Sequence, residues 1–116
     1  MAQAITDLGY QVHTLRSLYG SEEEAQMVTD EKWVSDVGER GWLAFTKDDR
    51  LRRERLVQLA MMESSTKVFC LANGNLKADE QAHRFLVNLT RIIVQGRQPG
   101  PYMYGVYPNR ITRLWP

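Results

Sequence analysis

The chain has 116 residues, 43% hydrophobic and 25% charged, the composition of an ordinary soluble globular protein with room for one core and too little chain for two. No apolar run approaches the roughly 20 residues that cross a bilayer, and the N-terminus lacks the charged-then-apolar order of a signal peptide, so a cytoplasmic protein without membrane contact is expected. The net charge of +1 conceals an asymmetry: residues 1–49 carry four basic and ten acidic side chains, residues 50–116 eleven and four, which points to a polyanion contact beside a carboxylate-rich feature unless folding interleaves the charges.

In chain order, Ala2 to Leu8 reads as the end of a helix, with Ala4, Ile5 and Leu8 on one face and Gly9 as its stop. Tyr10 to Leu15 alternates like a short strand, and residues 16–28 read as a loop whose acidic run, Glu22 to Glu24, is solvated. Thr29-Asp30 opens a second helix, on which Trp33, Val34 and Val37 repeat until Gly38 and Gly41 end it. Trp42 to Thr46 is too continuously apolar to have a wet face and reads as a buried strand. A third helix is expected over Leu51–Met62, apolar at Leu51, Leu56, Leu59 and Ala60 and basic elsewhere. Val68 to Ala72 is a second buried strand, stopped by Asn73-Gly74; within it the lone Cys70 excludes a disulfide framework and reads as a small core residue. The fourth helix, Ala78–Val94, repeats apolar residues at three and four until Gln98-Pro-Gly-Pro101 breaks it. Tyr102–Tyr107 and Ile111–Leu114 form a hairpin across Pro108-Asn109.

Apolar strands alternating with helices predict a parallel α/β sheet covered on both faces, in which ligands gather at the carboxyl ends of the strands. Asp48 falls there. With Asp49 beside it, and Asp30 and Glu31 at a helix start, it offers hard oxygen ligands that suit Mg²⁺ or Mn²⁺. The arginines after it would hold phosphates by charge and bidentate hydrogen bonds. A plainer reading stands beside this one: Asp30 and Asp49 cap helices, and Arg52, Arg53 and Arg55 form a solvated face paired with Glu54 and Glu63. His13 reads as structural, His83 as solvent-facing, and Trp33, Trp42 and Trp115 as core. Tyr102, Tyr104 and Tyr107 could stack on bases, but alternating tyrosines suit a half-buried strand. Phosphate-binding glycine loops, nucleophile elbows and HExxH are absent from the sequence.

Six pieces in order, LGYQVHTL, DEKW, RGWLAFTKDDRLR, VFCLANGNL with an AHRFL helix, PGPYMYGVY and RLWP, resemble the PIN-like domains of VapC-type toxins over nearly the whole chain. The resemblance implies that residues 1–116 form one PIN-like domain, a three-layer α/β/α sandwich with a mostly parallel sheet. It further implies a Mg²⁺- or Mn²⁺-dependent endoribonuclease, the toxin of a toxin–antitoxin pair whose antitoxin blocks the active site, and it leaves room for a homodimer. Asp30 and Asp48 would hold the metal, Glu31 or Asp49 would assist, and Lys47, Arg50, Arg52 and Arg53 would bind the RNA backbone. One departure stands out: PIN-like chains begin with a strand ending in an aspartate, and Met1 already falls in the segment resembling the helix after it. Asp7, near the end of that helix, is a poor substitute. A late start codon, a truncated gene or a strand supplied by a partner chain are the three explanations, the first preferred. A chain lacking that acid is expected to be a catalytically incomplete module that binds RNA or an antitoxin.

Overall fold

The computed structural model describes residues 11–72 and 75–116, so the helix expected over Ala2–Leu8 and the Asn73-Gly74 turn lie outside the described residues. Where alternation suggested a strand, residues 11–14 form no regular element. Thr14 instead caps α1 (Leu15–Tyr19): its hydroxyl accepts from the Ser17 amide at 3.1 Å, and the Ser17 hydroxyl accepts from the Thr14 amide at 2.9 Å. Such a reciprocal cap satisfies donors that a helix start otherwise leaves free. The expected loop after it holds α2 (Glu22–Met27), capped by Ser21, with Glu22, Glu23 and Glu24 in the first turn where the helix dipole favours negative charge.

α3 (Asp30–Glu39) starts at Thr29 as expected, the Thr29 hydroxyl accepting from the Lys32 amide at 3.3 Å. Gly41, at φ +70°, turns the chain into β1 (Leu43–Thr46). The expected third helix is divided into a 3₁₀ turn (Asp49–Arg53) and α4 (Arg55–Ser64). The tighter 3₁₀ winding shifts the phase, so that Leu51, Val57, Ala60 and Met61 are buried while Leu56 and Leu59 face solvent. β2 (Lys67–Leu71) comes next. The expected long helix is split at Asn88 into α5 (Ala78–Val87) and α6 (Leu89–Gly96). Asn88 is fully buried, and its amide donates to the Arg84 carbonyl at 2.9 Å and to the Tyr107 carbonyl at 2.6 Å. The second bond ties the break to the end of β3 (Tyr102–Val106), which pairs with β4 (Ile111–Trp115) in the expected hairpin.

The sheet runs β1-β2-β3-β4, the first three strands parallel and β4 antiparallel. Its register sets Ala44, Val68, Met103 and Trp115 in one row and Phe45, Phe69 and Tyr104 in another. Successive residues of a strand face opposite sides, so the first row packs on Val34 and Val37 of α3 and on Val57, Ala60 and Met61 of α4. The second packs on Phe85 of α5 and Ile92 of α6. This is an α/β/α sandwich, as the sequence predicts.

β1 departs from expectation in its burial, for only Ala44 is buried. Among the described residues β1 is the sheet edge, paired with β2 on one side only. A cavity of about 520 Å³ lies beside that edge, with Trp33 and Val37 on one wall and Phe85, Leu89 and Ile92 on the other.

α3 is held against the α4–β2 junction by a close contact. The fully buried Thr66 hydroxyl donates to the Val34 carbonyl at 2.9 Å. A Cβ on Gly38 would overlap that hydroxyl and lie 2.7 Å from the Ser64 carbonyl oxygen. Gly38→Ala therefore gains about 1 kcal/mol of helix propensity but is expected to destabilise the protein by about 2 kcal/mol or more through displacement of α3. Urea unfolding measures the balance; an unchanged or raised midpoint would show that the approach relaxes cheaply.

Candidate active site at the carboxyl end of β1

In the register of the parallel strands Thr46, Cys70 and Gly105 stand level, and the chain leaves β1 directly into Lys47 and Asp48. The Asp48 amide donates to the Thr46 hydroxyl at 3.1 Å, which turns the backbone away from the sheet. Asp48 then caps the 3₁₀ turn: Oδ1 accepts from the Arg50 amide at 3.0 Å and from Arg50 Nε at 3.1 Å. Asp48, not Asp49, is thus the cap. The Arg50 guanidinium holds the Asp48 carboxyl below the usual carboxylate range; burial opposes this, and the Arg50 amide adds to it. Thr46, Lys47, Asp48, Asp49, Arg50 and Asn75 line a shallow, polar, open pocket.

Asp30 and Glu31 occupy the first turn of α3, both half-buried. Asp30 does not cap that helix; its Oδ1 accepts from the Trp33 indole N–H at 3.1 Å. A residue outside the expected set joins these acids to Asp48. Glu54 stands at the N-cap position of α4 without a side-chain capping bond. Its carboxyl is pushed above the usual range by desolvation first, then by Asp30 and Asp48, with Arg50 opposing and Glu31 adding. The sequence held a signal for Glu54, an acid at the opening of a helix just beyond the strand end, but its four arginine neighbours suggested a salt-bridge partner instead. The Cys70 thiol, raised to about 11 chiefly by burial, also feels Asp49 and Asp48, with Arg52 opposing.

The four expected acids do not form a ready metal cage. Among the described residues no three His, Cys, Asp or Glu side chains converge as ligands, and Asp48 is occupied by Arg50. The salt-bridged basic face is not formed either, because the ion pairs among the described residues are Lys32–Asp36 and Arg50–Asp48. Arg53 and Arg55 are exposed and Arg52 half-buried, so positive charge stands beside the acids rather than interleaved with them.

The remaining candidates have structural roles. His13 stacks on Trp42 at 4.2 Å, and His83 is exposed as expected. Tyr102 is fully buried, its hydroxyl donating to the Gln95 carbonyl at 2.7 Å. Arg113 and Arg110 cover the rings of Tyr104 and Tyr107 at 5.7 and 4.8 Å. No helix among the described residues is long and apolar enough to cross a membrane.

Comparison with known proteins adds two matches. A family model described as "PIN like domain" matches residues 1–73. A protein named "Putative ribonuclease VapC45" from Mycobacterium tuberculosis is 34% identical over 112 residues, covering 97% of this chain and 80% of that protein. No solved structure matches the chain.

The repulsion at Glu54 can be read in solution. A carboxyl whose folded pKa is raised weakens the fold above the carboxylate range, and the penalty fades as pH falls and the group protonates. Glu54→Gln is expected to raise the melting temperature by about 1–3 °C at pH 7, the scale of an exposed charge interaction, and to change nothing near pH 3. A lower melting temperature at pH 7 would mean that Glu54 is a favourable contact.

Proposed function

The chain belongs to the PIN-like domain family, and on that premise we propose that it is a divalent-metal-dependent endoribonuclease, the toxin of a toxin–antitoxin pair. The observation that carries the reading is the place of Asp48 at the carboxyl end of β1, where it lines an open polar pocket with Lys47, Asp49 and Arg50 and has exposed arginines adjoining. Negative charge crowded at the open end of a strand is stabilised by a cation, and in kind the donors fit a hard one such as Mg²⁺ or Mn²⁺.

Asp30 and Asp48 are proposed to hold the ion, with Glu31, Asp49 and Glu54 assisting through water. When bound, such an ion activates water and offsets charge on the phosphodiester. The remaining work falls to side chains of this chain. Lys47, Arg50, Arg52 and Arg53 hold the flanking phosphates and orient the RNA backbone across the pocket. Arg50 is 80% exposed and its pair with Asp48 lies at the surface, where water screens the attraction and releasing Asp48 costs little. The guanidinium can then turn from carboxylate to phosphate. No covalent nucleophile is required. The proposed partners are RNA and a cognate antitoxin that covers these acids and arginines.

A second reading, a catalytically incomplete module that binds RNA or an antitoxin, is favoured by one observation: no three ligand side chains converge among the described residues. Double substitution Asp30→Asn with Asp48→Asn separates the two. A nuclease loses metal binding and cleavage, whereas a binder keeps its RNA affinity or gains some as repulsion falls. For the enzyme, incubation with structured RNA and Mg²⁺ or Mn²⁺ is expected to give cleavage that EDTA stops. Asp48→Asn should slow it by about 100-fold or more, the scale of losing several kcal/mol of charge stabilisation. RNA left intact at saturating metal sinks the nuclease reading.

A further inference from the structure

The basic half of the chain is least balanced toward its end. After Glu80 the sequence carries five arginines, Arg84, Arg91, Arg97, Arg110 and Arg113, and no Asp or Glu. The ion pairs among the described residues are Lys32–Asp36 and Arg50–Asp48, so no carboxylate there pairs with any of the five. Three of them collect at the carboxyl margin of the sheet. Thr46, Cys70 and Gly105 stand level, and two residues beyond each come Asp48, Ala72 and Tyr107. Each of these positions holds a guanidinium: Arg50 on the Asp48 carboxylate, Arg84 donating to the Ala72 carbonyl, and Arg110 over the Tyr107 ring at 4.8 Å. Arg91 joins them through the buried Asn88. Its Nη1 donates to Asn88 Oδ1 at 3.4 Å, and the Asn88 amide donates to the Tyr107 carbonyl at 2.6 Å.

We propose that Arg84, Arg91 and Arg110 form a second phosphate-binding subsite, which carries single-stranded RNA from the pocket across the ends of β2 and β3. Neighbouring strands lie about 4.8 Å apart, which sets Arg110 on the order of 10 Å from Asp48, a span of about three nucleotides of a stacked strand. The cations are held in place for this. The Tyr107 ring lies close on the sheet, where a Cβ on Gly105 would come within 2.9 Å of it, and Arg110 lies over that ring. Arg84 gives one N–H to the Ala72 carbonyl, and a guanidinium has five to give. Between Tyr102 and Trp115 no large apolar side chain is exposed. A protein interface is built about an apolar centre, so this margin suits a polyanionic strand better than a folded acidic partner. The inference rests on the nuclease reading for its ligand and adds the path that the RNA takes.

Fluorescence anisotropy of the full chain with an oligouridylate of about 12 nucleotides, in EDTA and across about 50 to 300 mM salt, tests it. The double variant Arg91→Ala with Arg110→Ala is expected to bind about 10-fold or more weakly and to flatten the log–log salt slope by about 1.4, two phosphates at about 0.7 each. Arg110→Lys should keep the slope. Arg97→Ala should change neither quantity, because Arg97 follows Gly96, whose carbonyl accepts from Lys67 at the other end of β2. All three positions are exposed, so each variant should keep the circular dichroism of the parent. A double variant with the parent's slope overturns the subsite, as does an equal loss in Arg97→Ala, which would mean undirected charge. A parent chain that binds no oligouridylate overturns it too and leaves the arginines to an acidic protein. Failure of the nuclease reading is distinct: RNA left uncut at saturating Mg²⁺ or Mn²⁺, with the slope change intact, removes cleavage and keeps the subsite.

Discussion

The buried bond from the Thr66 hydroxyl to the Val34 carbonyl decides where α3 lies. Gly38 lets the backbones come close enough for it to form, and Val34 and Val37 then seat on the Ala44–Val68–Met103 row. Asp30 and Glu31 lie at the amino end of the same helix, about one turn from Val34. Their position relative to Asp48 is therefore inherited from apolar packing and one hydroxyl, not from any attraction between the acids, which repel. A constellation of like charges is tolerated because the core beneath it is indifferent to charge and stabilises the fold by burial.

Much of the fold was legible where local chemistry and tertiary structure agree. Thr29 starts α3, Cys70 is a buried core residue, and the Pro-Gly-Pro break precedes a hairpin. The rest was hidden for identifiable reasons. The periodicity of residues 78–94 runs on without a fault, and the break at Asn88 exists because of a bond to Tyr107, nineteen positions away and invisible to any local pattern. Thr14 and Ser21 sit among polar residues that read equally as loop or cap, and α1 and α2 show that they cap. The 3₁₀ turn at 49–53 changed the helical phase of α4, which is why Leu56 and Leu59 were expected in the core.

The candidate site was legible in kind and less so in membership. A strand end carrying Asp48, with arginines after it, was visible as residue types in sequence, and the ordered motifs resemble the family to which the matches assign the chain. Glu54 was not singled out, because charge alternation in RRERL looks like internal pairing. Pairing requires side chains to meet, and Glu54 forms no ion pair with those arginines among the described residues. The asymmetry between the acidic and basic halves of the chain is real at this point in space, where residues 30–49 and 50–55 adjoin.

The open edge of β1 has a mechanical consequence. On the described residues this strand is braced by one ladder of hydrogen bonds, to β2, while β2 and β3 are each braced by two. Asp48 hangs from the end of β1, so a carboxylate that lines the pocket is carried by a strand that, like β4 at the other margin, is braced on one side only among the described residues. Its stiffness is set by whatever lies along that edge. An extended segment laid against β1, filling the cavity beside it, would sharpen the position of Asp48 without touching it. The precision of the pocket is in this sense a property of the sheet's margin rather than of the pocket's own side chains.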